Sequence, residues 1–509
     1  MTDSNKLSML RNTGLSYFGQ AYALLIGIVI LPFYLGHLGA EAYGLIGFFA
    51  VMQAWLQLLD AGMSPALVRQ VAHFRGQPMS PSMTQHLGQL LRSFEIIFLP
   101  MALLAALVIQ LSSAWIATHW LRADILSPET IGHCVGLMGL MVGMRLYATL
   151  YKSGIQGMEL HAWLNGANMV VATLRYLGGL WLVARVSQDP LDFFLFQTGV
   201  ALLEMLLFAC KAHRLMPSPA LLTGFNWQAV RPVLPFAASL SFTSLLWILL
   251  TQLDKVLLSN VLSLEDYGYF SLVALISTGI MTLTNPLVQT LLPRLTMLTS
   301  QGRDADMQAL YLAATRFVCS LLFPLAAVVA MHSEELIYAW TGDREAARWS
   351  ASILPWYVLG SAIMAISAFQ FYLQYAYGRL RLHVWYSLVS TGLAVPLVVY
   401  AVFEHGARGA AVVWFALRLI TFLVWPPVVH QRFAPRLHAP WLRDLLRICL
   451  MTAIGLALSA PLFDALASDE RLDIFMGLAA SGALCLLLIA ATTRPVVNRL
   501  FLFIHKPSI

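Results

Sequence analysis

Charge is what this sequence has least of: 11% of its 509 residues are Asp, Glu, Lys or Arg. A soluble domain carries about 25%. With 59% hydrophobic residues and a mean hydropathy of +0.73, the chain cannot dress an aqueous surface of its own size. Other shortages narrow the class further. The five cysteines, Cys134, Cys210, Cys319, Cys449 and Cys485, include no close pair, so the expectation is buried inert thiols and not a metal or redox motif. No Gly-x-x-x-x-Gly-Lys loop occurs, which argues against an ATP-driven pump. No metal and no cofactor are expected. The connecting segments, the longest at 66–92, are too short for a folded extramembrane domain.

What the sequence has instead is a succession of apolar stretches of roughly 20 residues, the length that crosses a bilayer as a helix. Fourteen candidates run near 13–35, 44–65, 93–117, 131–151, 163–184, 191–212, 233–258, 267–291, 310–331, 353–376, 384–403, 409–429, 445–466 and 473–492. The expected fold class is an all-α polytopic membrane protein. No small-residue cleavage site follows the first apolar stretch, so that helix is expected to be retained. Twenty of the Lys and Arg residues fall on the side of the N-terminus and six on the other. The positive-inside rule therefore places both termini in the cytoplasm. This bias accounts for the net charge of +6, and no nucleic-acid partner is implied.

The chain also echoes itself. Leu160-His161-Ala162-Trp163 returns as Leu382-His383-Val384-Trp385, and Glu41-Ala42-Tyr43-Gly44 as Glu265-Asp266-Tyr267-Gly268. Nearly equal offsets, each at the mouth of an apolar helix, predict two pseudo-symmetric lobes of six helices. The lobes span 1–231 and 232–430, and 431–509 adds two helices. Such repeats are how secondary transporters build a path that opens to either side in turn. Gly139 and Gly143, four apart, predict a close approach of helix 4 to a neighbour.

Five basic residues lie inside spans: Arg145, Arg175, Lys255, Arg316 and Arg418. An arginine at mid-membrane costs about 2.5–3.5 kcal/mol on insertion scales. Arg175 and Arg418 are expected at mid-depth, whereas Arg145 and Arg316 lie close enough to a helix end to snorkel. Glu204 on helix 6 offers Arg175 a structural ion pair. Glu95, one turn into helix 3, is expected to reach the interface. The repeat offset puts no charge opposite the four arginines, so they do more than hold two lobes together. Guanidinium forks bind phosphate oxygens bidentately, which points to a hydrated cavity with a cationic lining and an anionic cargo. Polar span residues such as Gln53, Gln197 and Gln370 are candidates for contact with sugar hydroxyls. If an H+ or Na+ gradient drives movement, its candidate carriers are Asp60, Glu204 and Asp254.

The stretch from Leu35-Gly36 through Tyr43-Gly44-Leu45, then Gln53-Ala54-Trp55-Leu56-Gln57-Leu58-Leu59-Asp60-Ala61-Gly62-Met63 and Arg69, resembles the opening of Wzx-type O-antigen and polysaccharide flippases. Asp254-Lys255-Val256-Leu257-Leu258 followed by Tyr267-Gly268-Tyr269 is similar to the start of their second lobe. The resemblance runs the full length. It implies the fold of the multidrug/oligosaccharidyl-lipid/polysaccharide exporter superfamily, in a bacterial inner-membrane protein. The implied activity turns undecaprenyl-diphosphate-linked oligosaccharide from the cytoplasmic to the periplasmic leaflet. It further implies a cationic cavity, carried here to Arg145, Arg175, Arg316 and Arg418, with a polysaccharide polymerase and a chain-length regulator as candidate partners. Such a protein is not an enzyme.

Rival readings remain. A lipid II flippase and a MATE-like multidrug exporter share the superfamily fold, though a drug exporter selecting organic cations should have an acidic or neutral cavity. From another class, a membrane glycosyltransferase or polysaccharide polymerase would use Asp304-Ala305-Asp306 as a metal-binding Asp-x-Asp pattern. That motif leads straight into helix 9 with no room for a nucleotide fold, so helix capping is the preferred reading.

Overall fold

A computed structural model describes Gly19, Tyr22 and residues 25–493, apart from 57, 61, 76–80, 217–224, 232 and 467–469. The two chain ends, expected on the cytoplasmic side, lie outside these residues. Among the described residues there is no strand, only an isolated bridge between Arg122 and Ser263.

Among the described residues, ten helices are long and apolar enough to cross a membrane. One of them, α17 (Arg381–Phe433), is two helices in succession, because Gly406 at φ 57° and ψ −143° breaks it. That conformation is nearly closed to residues with a Cβ. The shorter apolar helices α1 (Leu25–Leu38), α2 (Ala40–Leu56) and α11 (Leu264–Thr282) take the places of the remaining expected spans.

Local chemistry sets the ends. Ser127 accepts a hydrogen bond from the Thr130 amide and precedes Pro128 at the start of α5 (Pro128–Gly157). Asp189 does the same for Leu191 ahead of Pro190 in α8 (Pro190–Leu215). Both satisfy an otherwise orphaned amide at a helix start.

Two expected helices are interrupted. The apolar run at 44–65 is α2, then a break holding Asp60 and Gly62, then the amphipathic α3 (Met63–Arg75). The run at 267–291 is α11 followed, after Thr284, by α12 (Asn285–Ser300), with Pro286 in its first turn. The two echoed helices are thus both interrupted. Gly44 and Gly268 of the echoed Tyr-Gly pairs face backbone so closely that a Cβ on either would collide with the carbonyls of Leu264 and Ala40.

The chain forms two compact units, 1–268 and 269–509. In the first, α5 is central. It packs on α3, on α8 and on α4 (Pro81–Trp115), which ends in a wide π-turn over Ile116–Trp120. Gly139 and Gly143 make the expected close approach, and the neighbour is α4: a Cβ would sit 2.9 Å from Ile109 and 2.9 Å from the Ala102 carbonyl oxygen, respectively. Helix α10 (Leu234–Val261), expected to open the second lobe, packs on α2 and α3 in this first unit.

In the second unit α13 (Asp304–Met331) packs on α16 (Leu354–Ala376), α18 (His438–Leu466) and α19 (Arg471–Thr493). Cys134, Cys319 and Cys485 are buried as expected; Cys210 and Cys449 are exposed on helix surfaces, because their positions face outward from α8 and α18.

Candidate functional site

Within the first unit lies a cavity of about 700 Å³. Its principal wall is a stripe of α5. Arg145, Thr149, Lys152 and Gln156 succeed one another at four, three and four residues, a spacing that puts all four on one helix face. Helix α5 runs six residues past the expected end of that span, so Arg145 lies near its middle and not close to an end. Its guanidinium sits 5.0 Å from the centroid of the Phe49 ring, and its Nε is buried with no hydrogen-bond partner.

Opposite the stripe is Glu204 of α8, only 3% exposed. Lys152 Nζ donates to its Oε1, and Arg175 donates to its Oε2 at 2.7 Å. The expected ion pair between consecutive helices is therefore present, but it is shared with Lys152. Lys152 falls just outside the span expected at 131–151. The signal that would have found it is its distance of seven residues, two helical turns, from Arg145.

Arg175 owes its position to a defect. It lies in a π-helical turn, Leu174–Gly178, between α6 (His161–Thr173) and α7 (Gly179–Arg185). Such a turn carries an extra residue and loosens the backbone ladder. The Arg175 carbonyl accepts hydrogen bonds from Gln197 Nε2 at 2.9 Å and the Tyr34 hydroxyl at 3.2 Å, and Tyr34 also donates to the Tyr176 carbonyl at 2.7 Å. Gln197, a candidate for sugar contact, holds backbone instead; Gln53 does line the cavity.

Asp60 reaches the same cavity from the α2–α3 break, where it accepts hydrogen bonds from the Ser64 amide and hydroxyl and so caps α3. Ser64, Ser153 and Ser244 add hydroxyls to the lining. Among the described residues, the charged lining is three cations and two carboxylates.

The remaining candidates lie elsewhere. Arg316 on α13 donates through Nε at 2.9 Å, and again through a terminal nitrogen, to one carboxylate oxygen of Asp444 on α18, beside a void of about 10 Å³. Arg418 is 9% exposed, with its guanidinium 4.5 Å from the Trp414 ring centroid. Asp254 pairs with Lys255 at 3.7 Å on α10. Glu95, expected at the interface, is covered by protein. It is 1% exposed and held by Arg92 at 2.5 Å, His213 at 2.9 Å and the Tyr151 hydroxyl at 2.8 Å. Asp304 and Asp306 occupy the first turn of α13, where Arg303 pairs with Asp306 at 2.8 Å; no side chain caps the helix start, and the two carboxylates complement its dipole instead.

The sequence profile of the polysaccharide biosynthesis protein family matches residues 9–299, more than half of the chain. The chain belongs to this family. No curated protein matches the sequence. Among solved structures, it is similar to lipid II flippase MurJ in an inward closed conformation, with a TM-score of 0.71 at 13% identity over 95% of this chain and 99% of that one. A multidrug-resistance MATE family transporter of the MOP superfamily, inward-facing, gives 0.59 at 13% identity over 82% and 95%. The Vibrio cholerae MATE transporter VcmN gives 0.56 at 14% over 86% and 100%. At such identities the likeness establishes a common fold. This member of the polysaccharide biosynthesis family is thus a multi-pass membrane protein with the fold of the MOP exporters.

Proposed function

We propose that the protein is a flippase that carries undecaprenyl-diphosphate-linked oligosaccharide from the cytoplasmic to the periplasmic leaflet of a bacterial inner membrane by alternating access. The observation that carries this reading is the cavity in which Lys152 and Arg175 converge on one carboxylate while Arg145 lines the same wall. Its charge is positive, its size suits a phosphorylated headgroup and the first sugars, and its hydroxyl and amide groups suit a glycan. Membership of the polysaccharide biosynthesis family favours a glycan cargo, and the similarity to a lipid II flippase favours a lipid-diphosphate carrier. A cavity with three cations disfavours export of organic cations. Positive-inside asymmetry supports cytoplasmic termini.

The test is genetic and chemical. Deleting the gene should make a lipid-linked oligosaccharide accumulate, identified by mass spectrometry, and surface polysaccharide should disappear. Arg175→Ala, present in the membrane at the wild-type level, should fail to restore it. Full restoration by Arg175→Ala together with Arg145→Ala would overturn the reading.

A further inference from the structure

Glu204 does in the cavity what a phosphate group would do on arrival: it takes up the hydrogen-bond donors of Lys152 and Arg175. Among the described residues, the charged groups facing it are Arg145 and Lys152 from α5, Arg175 from the π-turn, and, across the same cavity, Asp60 from the α2–α3 break. Carboxylate and phosphate oxygens ask for the same donors, so two such anions compete for one set. Three cations against two carboxylates leave the cavity with one positive charge. A diphosphate diester brings two negative charges and overshoots to one negative. A carboxylate at 3% exposure that loses its cations is left with a charge that its surroundings cannot solvate, and the usual relief is neutralisation.

We propose that Glu204 is a displaceable internal counter-ion: the ligand's diphosphate takes over Lys152 and Arg175, and the released carboxylate takes up one proton. The inference rests on the reading of this cavity as a diphosphate site. It adds Lys152 to the ligand-binding side chains and makes Glu204 the link between cargo and proton. No covalent bond forms or breaks. The proton comes from cavity water, resides on a Glu204 carboxyl oxygen while the ligand is bound, and returns to water on release. The loaded cavity is then electrically neutral. Linkage requires that a ligand whose binding takes up a proton bind more tightly as pH falls, by tenfold per pH unit for one proton.

The experiment uses the full chain in lipid nanodiscs, with farnesyl-diphospho-N-acetylglucosamine as the probe, a diester whose charge does not titrate near neutrality. Calorimetry in two buffers of different protonation enthalpy counts protons. The wild type should take up close to one proton per ligand, with affinity rising toward acid. Glu204→Gln should bind with no uptake and no pH dependence. Lys152→Met should weaken binding on the order of tenfold or more. Binding without uptake in the wild type, uptake that persists in Glu204→Gln, or unchanged affinity in Lys152→Met overturns the proposal and leaves the diphosphate site standing. Absence of binding by the wild type removes both. The wild-type proton count needs no variant, so a Glu204→Gln chain that fails to fold does not protect the idea.

Discussion

Glu204 and Asp444 are both buried carboxylates, yet their partners give them different work. Asp444 has one guanidinium, that of Arg316, bound through two nitrogens to a single oxygen beside almost no free volume. Removing the cation leaves a buried charge uncompensated, so Arg316→Ala should destabilise the protein by about 3 kcal/mol. A lowered thermal unfolding midpoint with unchanged probe affinity is the expected result, and weaker probe binding would place Arg316 with the cargo. Glu204 has two cations, one on each oxygen, and lines a cavity of about 700 Å³. Part of this was legible in the sequence. Arg175 and Glu204 lie on consecutive helices, which is enough to suggest a pair. Lys152 was hidden by a helix assumed to end at 151, and the Glu95 cluster because Tyr151 and His213 sit on α5 and α8, far along the chain. Partners brought together by tertiary packing leave no spacing to read.

At the scale of elements, the small-residue face of α5 is the feature most open to test. The Gly143 Cα faces the Ala102 carbonyl so closely that a larger side chain must push α4 away. Gly143→Leu should therefore destabilise by about 1–3 kcal/mol through overpacking, measured as a lower unfolding midpoint, whereas Gly166→Ala, with nothing within 4 Å, should not. The glycine spacing announced this contact because close helix approach depends on local composition. The breaks after α2 and α11 were not announced. Leu56 to Met63 and Thr282 to Val288 keep an apolar character across the interruption, and hydropathy does not distinguish a continuous helix from one that ends and restarts. Only Asp60, which caps α3, and Pro286, which sits where a first turn tolerates it, mark the places.

For the whole molecule, the distribution of Lys and Arg predicts sidedness. In a cysteine-free background, a cysteine at Gly378, between α16 and α17, should react with a membrane-impermeant thiol reagent only in inverted vesicles. One at Gly342, between α14 (Ser333–Thr341) and α15 (Arg344–Ala351), should react in intact cells. The reverse pattern would invert the orientation. The all-helical membrane fold was legible because hydropathy is a global property of the chain. The length of α5 has a consequence for the proposed translocation. From Gln156 to Arg145 the polar track climbs eleven residues, about 16 Å at the rise of an α-helix. The oily interior of a bilayer is only about 30 Å thick. For the proposed flippase, a headgroup that follows this ladder to its top rung moves by roughly half of that thickness before any helix tilts.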